Sequence, residues 1–190
     1  MANPFSAFLM SPMMSFEGQE DGERVVLLLR AHLVTLVPVL LLIIFLVFVP
    51  FLVPSILSLL VVDLAGVLTS GQTFLIGLFW YLLVFAYAFY KFIFWYFNIY
   101  LVTNERIVDF DFRGLLHKET SYANLSQIQD ITPKTIGFFG TFFHYGDIFL
   151  QTAGTKPEFE FHHVPRPNEA VSKILEERRK EEAEAPGEVA

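Results

Sequence analysis

Two long stretches without a charged residue constrain what this chain can fold into. The residues between Arg30 and Asp63 include no Asp, Glu, Lys or Arg, and neither do those between Asp63 and Lys91. Uncharged apolar runs of roughly 18 or more residues are typical of membrane-spanning helices. The hydrophobic content of 54% agrees, because soluble domains average ~45 to 50%. The sequence therefore predicts two spans.

The first run is too long for a single span. At ~1.5 Å per residue, residues 31–62 would form a helix of roughly 48 Å, against a hydrocarbon core of ~30 Å. Pro50 and Pro54 are expected to end the helix, because proline lacks an amide proton and its ring collides with the preceding turn. The run 31–97 then divides into three predicted parts: a first span at about 31–53, an interfacial segment at 54–72 and a second span at about 73–97.

The basic residues predict an orientation. The connection 54–72 contains no Lys or Arg, whereas Arg24 and Arg30 precede the first span and Lys91 closes the second. Because cytoplasmic loops carry the excess of Lys and Arg, we predict a multi-pass protein of the cytoplasmic membrane with both termini in the cytoplasm. The N-terminal segment 1–30 is predicted to be cytoplasmic. Its leader MANPFSAFLMSPMMSF is expected to be a disordered tail, with contact to the membrane surface through Phe5, Phe8, Leu9 and Phe16 as the alternative.

After Asn98 the pattern changes to the period-two alternation of half-buried strands. RIVDFDFR places Val108, Phe110 and Phe112 on one face, and LLHKETSY, NLSQIQDIT, GDIFLQT and EFEFHH predict four further strands. Apolar residues at helical spacing predict a last helix from Pro167 to about 182, followed by a flexible tail at 183–190. The predicted fold class is two transmembrane helices followed by an α+β domain at 98–182, a small antiparallel barrel or bent sheet capped by a C-terminal helix.

Several motifs carry a family resemblance. YLVTNERI, NLSQIQDI, YGDI and VPRPNEAVSKIL resemble the bacterial pleckstrin-homology-like (PH-like) domain proteins that have a membrane hairpin ahead of the domain. The resemblance covers about 23–175. It implies a PH-like fold, membrane attachment and no catalysis, with lipid contact, protein docking and self-assembly as possible roles. Its most specific residues are Tyr100, Thr103, Arg106, Gly146 and Asp147.

The residue pattern gives Arg106 a structural role. The segment from Thr103 to Arg106 lies where a turn is expected between two strands. Arg106 is expected to form a salt bridge that fixes this first hairpin, rather than to bind a ligand.

The run IGFFGTFFHYGDI contains more aromatic rings than one strand face can bury, because neighbouring strand residues point to opposite faces. Exposed apolar patches usually mark a partner or a membrane contact. Gly137 and Gly140 are expected to let this run bend as a loop. The predicted membrane or partner contacts are Phe138, Phe139, Phe142 and Phe143, with lipid and protein both open as the counterpart.

Basic residues near the predicted strands offer a weak lipid-headgroup site. A Lys or Arg near an anionic surface contributes on the order of 1 kcal/mol. The candidates are Arg113, Lys118 and Lys134, and a solvated strand face is the alternative.

Other classes of site find no support. The chain has no cysteine, no basic patch of the kind that nucleic acids need, and no catalytic or phosphate-binding motif. His162 and His163 are adjacent on a predicted strand, so they are expected to point to opposite faces and not to share a metal. We predict no cofactor, no metal site and no enzyme activity.

These observations favour a non-enzymatic, membrane-anchored PH-like module that acts as a scaffold or adaptor at the cytoplasmic leaflet. Its expected partners are membrane lipids, further copies of itself or another membrane protein. Two alternatives remain: an oligomeric pore formed by the membrane hairpins, and a membrane-bound hydrolase with a site around His144, Tyr145 and Asp147.

Overall fold

The computed structural model describes residues 5–59, 68–114, 117–135, 137–152 and 158–184. The chain divides into two compact units. The first, the strand body, combines Met1–Val34 with Trp95–Ala190, and the second, the helical unit, is Thr35–Phe94. The helical unit is therefore an insertion in the sequence of the strand body.

A five-stranded antiparallel sheet forms the first half of the strand body. Its strands follow chain order, and β2 pairs with β3 so that Arg30 lies opposite Ile99. The helical unit thus connects two neighbouring antiparallel strands, a place where a short turn usually suffices. The strands are β1 (Phe8–Met10), β2 (Val25–Arg30), β3 (Ile99–Thr103), β4 (Arg106–Gly114) and β5 (His117–Asn124).

A three-stranded antiparallel sheet and two helices complete the strand body. Its strands are β6 (Ile128–Lys134), β7 (Tyr145–Thr152) and β8 (Glu158–Pro165). The helix Gly137–Phe143 lies between β6 and β7, and the helix Pro167–Glu184 follows β8. In the part of the chain that the structure describes, the two sheets do not join into a closed barrel, so the bent-sheet form of the predicted fold applies.

Two apolar clusters lie on opposite faces of the five-stranded sheet. The main core packs Leu27, Leu29 and Val102 against residues of the second sheet and of the last helix. The outer cluster contains Leu28 and Val108 and is covered by three side chains of the N-terminal segment, Leu9, Met14 and Phe16. Every residue of β2 is buried as a result.

The N-terminal segment differs from the prediction. We expected 1–30 to lie outside the domain and its leader 1–16 to be a disordered or surface-bound tail, but the described part of 1–30 supplies β1 and β2 and covers the outer cluster. The predicted domain 98–182 therefore lacks two strands of its own sheet. The run VVLLLR shows no alternation because both of its faces are buried, so its pattern does not indicate a half-buried strand.

The helical unit consists of two long helices, α1 (Val37–Leu59) and α2 (Ser70–Phe97). The two helices of the strand body are numbered α3 (Gly137–Phe143) and α4 (Pro167–Glu184). Residues 33–59 and 70–97 are long and apolar enough to cross a membrane, and almost none of their most apolar residues are buried inside the fold. The indole Nε1 of Trp80 donates a hydrogen bond of 2.9 Å to the Leu46 carbonyl and so ties α1 to α2.

The helix bounds correct the predicted spans. Pro50 and Pro54 do not end α1, which continues to Leu59. Proline removes one backbone hydrogen bond, and the carbonyl that Pro50 leaves free, four residues earlier at Leu46, is the one that accepts the hydrogen bond from the Trp80 indole at 2.9 Å. At its other end α2 starts at Ser70, before the predicted residue 73. The predicted interfacial segment 54–72 is thus helical at both ends, and its residues 60–67 lie outside the described part.

A capping box explains why α2 begins early. The Thr69 hydroxyl accepts a hydrogen bond from the Gln72 amide at 3.4 Å, and the Gln72 side chain accepts one from the Thr69 amide at 2.9 Å. This reciprocal pair satisfies two of the amides that a helix N-terminus leaves free. The C-terminal helix was predicted over Pro167 to about 182 and extends to Glu184, while most of the predicted tail 183–190 lies outside the described residues.

Candidate membrane-contact site

Both strands that lead into the helical unit end at one edge of the strand body. Here the indole Nε1 of Trp95 donates a hydrogen bond of 2.8 Å to the Ala31 carbonyl, and the His32 amide donates one of 2.7 Å to the His163 carbonyl of β8. The Arg30 guanidinium lies 4.4 Å from the centre of the Tyr96 ring. We call residues 30–32 and 95–98 the junction.

Helix α3 presents an aromatic surface beside the junction. The exposed fractions of Phe138, Phe139, Phe142 and Phe143 are 76%, 62%, 65% and 39%, and we call these four rings the phenylalanine surface. The ring of Phe143 lies 6.5 Å from that of His32, which stacks on Tyr145 at 5.5 Å. Burial lowers the pKa of His32, which favours the neutral ring in this aromatic setting.

The phenylalanine-rich run is a helix, whereas we predicted a bending loop or strand. Rings four residues apart stack on each other, with centroid distances of 6.1 Å for Phe138 and Phe142 and 6.5 Å for Phe139 and Phe143. Gly140 is buried beneath the rings, where a Cβ atom would lie 3.0 Å from the Tyr145 carbonyl oxygen. The two glycines therefore allow close packing and a turn, since Gly137 has a φ of +74°.

The three basic candidates do not gather into one site. Lys118 lies opposite Phe112 in the register of β4 and β5, near the junction residue Phe97, and forms an ion pair of 2.9 Å with Glu17. Lys134 is exposed at the end of β6 in the other sheet, three residues before α3 begins at Gly137. Arg113 lies on β4, but its side chain is outside the described part of the structure. Headgroup contact by these residues stays a prediction.

Three of the family-motif residues shape the edge that meets the junction. The hydroxyl of the partly buried Tyr100 accepts a hydrogen bond of 3.2 Å from the His162 amide, and burial raises the pKa of this hydroxyl. An Asp147 carboxylate oxygen accepts one of 2.7 Å from the amide of His163, whose φ is +54°. A Cβ atom on Gly146 would lie 2.5 Å from the Lys134 carbonyl oxygen, so only glycine fits there. These roles are structural.

Thr103 and Arg106 hold the opposite end of the five-stranded sheet. The Thr103 hydroxyl accepts hydrogen bonds from the amides of Glu105 at 3.2 Å and Arg106 at 3.0 Å, which fixes the β3–β4 turn. The predicted salt bridge of Arg106 is present: Glu23 makes two contacts of 2.9 Å with it and Glu20 makes one of 3.3 Å. Arg106 also donates to the Gly18 carbonyl at 2.7 Å, so it ties β4 to the N-terminal segment as well.

Glu23 is a partner that sequence reasoning missed. Its side chain is fully buried, and burial raises its pKa. Hydrogen bonds from the Arg106 side chain and the Glu20 amide outweigh that effect, so the pKa of Glu23 lies below its ordinary value. Only the acidic cluster EDGE before β2 could have indicated it, and nothing in the sequence selects one carboxylate from that cluster.

We predicted that the adjacent residues His162 and His163 point to opposite faces of their strand, and this prediction is wrong. Both side chains are about half exposed and both approach Asp147, at 4.0 Å for His162 and 3.9 Å for His163. The positive φ of His163 breaks the alternation of β8 at this point. Among the described residues, no group of three or more His, Asp or Glu side chains is placed to hold a metal ion.

The hydrolase candidates have separate partners. The His144 carbonyl accepts a hydrogen bond of 2.8 Å from the Arg166 amide, the Tyr145 ring stacks on His32, and Asp147 accepts from the His163 amide. Each of these contacts builds the junction edge, and a hydrolytic centre formed by the three residues remains a prediction.

A two-sheet body with a C-terminal helix defines the class of PH-like domains. The family described as "Bacterial PH domain" matches residues 26–179, and the chain therefore belongs to the bacterial PH domain family. The match begins inside β2, ahead of the helical unit, in agreement with the strand order. No curated protein matches the chain.

One solved structure that resembles the chain is the crystal structure of a DUF1696 family protein with a pleckstrin-homology domain from Shewanella loihica PV-4. The two share 19% sequence identity with a TM-score of 0.34. The similarity covers 42% of this chain and 69% of that chain.

Proposed function

We propose that the chain is a non-enzymatic, membrane-anchored PH-like module that acts as a scaffold or adaptor at the cytoplasmic leaflet, with both termini in the cytoplasm. The observation that carries the proposal is the insertion of two apolar helices between the paired strands β2 and β3 of a bacterial PH domain. A PH-like body anchored through its own sheet is held at the membrane by folding itself.

The surface of α1 supports the anchoring. None of the described residues of α1 is buried, and large side chains such as Phe45, Phe48 and Phe51 are 55% to 65% exposed. Each Å² of apolar surface left in water costs roughly 25 cal/mol, so such a helix needs lipid or protein around it. The excess of Lys and Arg outside the connection 54–72 supports the orientation.

The contacts that would make this module a scaffold are those of the strand body. The phenylalanine surface offers four exposed rings to lipid, to a further copy of the chain or to another membrane protein. Lys118 and Lys134 offer positive charge to anionic headgroups, although the ion pair of Lys118 with Glu17 reduces its share.

Membrane fractionation and cross-linking of the full-length chain test the proposal. We expect the protein to stay in the membrane through alkaline carbonate washing and to need detergent for extraction. In native membranes, a photoreactive residue in place of Phe142 should cross-link to lipid, to a second copy or to another protein. The matched control replaces Tyr122, which is 47% exposed and lies near Arg106 at the other end of the sheet.

Two results would contradict the proposal. A chain that stays in solution without detergent would remove the anchoring. A chain that is membrane-bound but gives no more cross-linked product from position 142 than from the control position 122 would remove the scaffold role.

A further inference from the structure

We propose that α3 is a third membrane contact, whose phenylalanine surface inserts at the boundary between headgroups and acyl chains of the leaflet that the two spans enter. This proposal rests on the membrane anchoring proposed above. The counterpart is lipid, and a second copy of the chain or another protein is a separate outcome of the test. The inserted helix would hold the PH-like body against the bilayer instead of leaving it to swing on two connections.

The two faces of α3 have different chemistry. At 3.6 residues per turn, the four Phe positions fall within an arc of about 140°, and Gly137, Gly140 and Thr141 occupy the other side. Gly140 packs against the backbone of β7, so the rings are directed away from the body. The side of α3 that faces the strand body needs no aromatic ring to fill the space, because Gly140 already contacts β7 there.

The position of α3 selects lipid as the counterpart. Phe143 contacts His32, and the first apolar segment begins at the next residue, Leu33. The same His32 is bonded through its amide to β8, so its place relative to α3 is fixed by the fold. In the proposed insertion the chain enters the bilayer at Leu33, and the contact of Phe143 with His32 places this ring near the headgroups, where aromatic side chains are enriched.

Polar and basic groups lie near the phenylalanine surface, as expected for a helix at the headgroup layer of a membrane. A cavity of about 500 Å³ lies on the small-residue side of α3 and is lined by groups that include Thr141, His144 and Arg166. Arg166 is half exposed and forms an ion pair of 2.9 Å with Glu169. Lys134 is exposed at the end of β6. Rings on one side and polar or basic groups on the other are typical of interfacial membrane segments.

The cysteine-free sequence allows the depth of single residues to be measured in the full-length protein. A nitroxide spin label at one introduced cysteine reports immersion through the ratio of its collisions with oxygen, which concentrates in lipid, and with a water-soluble nickel complex. The protein is placed in nanodiscs of phosphatidylethanolamine and phosphatidylglycerol at one copy per disc, so that no second copy or other protein can cover the rings.

Four positions form the experiment. Phe142→Cys probes the phenylalanine surface, and Thr141→Cys is its matched control on the opposite side of the same helix. Asp21→Cys is the reference for water, since it precedes β2 at the end of the sheet away from the junction. Phe85→Cys, 69% exposed on α2, is the reference for lipid. Thermal unfolding of each variant checks that the label leaves the fold intact, and Phe138→Cys replaces Phe142→Cys if that variant unfolds.

We expect the oxygen-to-nickel ratio to be highest at residue 85, clearly raised at 142, lower at 141 and lowest at 21. Equal ratios at 142 and 21, with a high ratio at 85, would overturn the insertion of α3 and leave the anchoring intact. A low ratio at 85 would contradict the anchoring itself. A raised ratio at 142 that appears only when discs contain two or more copies would assign the rings to self-association and overturn the lipid proposal.

Discussion

The chain contains the triplet Leu-Leu-Leu twice, and the two copies have opposite surroundings. In β2 the residues Leu27, Leu28 and Leu29 have exposed fractions of 0%, 2% and 0%. In α1 the corresponding triplet, residues 40–42, has exposed fractions of 54%, 61% and 42%. The same side chains thus form the centre of a protein core in the strand body and the surface of the helical unit.

This difference shows that apolar content serves two purposes here. In the strand body, apolar side chains are removed from water by two sheets, α4 and the N-terminal segment. In the helical unit the fold leaves them exposed, and under the proposed function a bilayer takes the place of protein neighbours, since both helices are long and apolar enough to cross one. The strand body should therefore be sensitive to changes of side-chain volume, and the helical unit to changes of polarity.

Truncation of one leucine in each triplet should give the largest contrast. Leu27→Ala leaves a cavity among well-packed neighbours and should lower the free energy of unfolding by about 2–5 kcal/mol. Leu41→Ala should cost only a small fraction of that, because lipid or detergent fills the space. Thermal unfolding in detergent micelles and in nanodiscs measures both. Equal losses for the two variants would mean that α1 packs against protein, and the comparison would fail.

An added methyl group should give the next contrast. Gly146→Ala forces a Cβ atom against the β6 backbone and should destabilise the strand body by about 1–3 kcal/mol. Gly77→Ala on α2 meets no atom within 4 Å, so it should leave the stability unchanged or raise it slightly. The same unfolding assay reads both variants. A neutral Gly146→Ala would show that β6 and β7 are less closely packed than in this structure.

Acid should weaken the strand body through Glu23, with the smallest of the three effects. The folded-state pKa of Glu23 lies below the unfolded value of roughly 4.3. Its contribution to stability is therefore complete above that value and is lost as the pH falls through the folded pKa. Carboxylates titrate between about pH 5 and about pH 3, and over this range we expect the free energy of unfolding of Glu23→Gln to fall less steeply than that of the unsubstituted chain.

The matched control for this titration is Asp21→Asn, two residues away and exposed. If Glu23→Gln shows the same profile as the control, the ion pair with Arg106 does not contribute measurably to the pH dependence. The described residues of α1 and α2 contain no acidic side chain, so their part of the chain should not respond over this range.

The sequence predicted the elements whose pattern is local. The alternation in β4 and the helical spacing in α4 led to strands and a helix at nearly the observed bounds. The prediction failed where a segment depends on distant partners. β2 is apolar on both faces because the N-terminal segment covers the outer one, and no pattern within VVLLLR can show this.

The candidate site was predictable by residue type and not by conformation. The number of rings in IGFFGTFF indicated that some must be exposed, and the structure exposes the four that were named. The helical form of α3 depends on the close contact of Gly140 with β7, which is a tertiary contact. Its position beside His32 depends on the pairing of elements more than a hundred residues apart, so sequence reasoning left lipid and protein equally open.

Site-specific labelling tests the central claim most directly, namely that the connection between β2 and β3 crosses the membrane twice and leaves the strand body in the cytoplasm. Ser70→Cys, at the start of α2, and Asp21→Cys, ahead of β2, are each exposed to a membrane-impermeant thiol reagent in intact spheroplasts and after lysis. We expect residue 70 to react in intact spheroplasts and residue 21 to react only after lysis. Reaction of residue 21 in intact spheroplasts, or protection of both residues until lysis, would contradict the account.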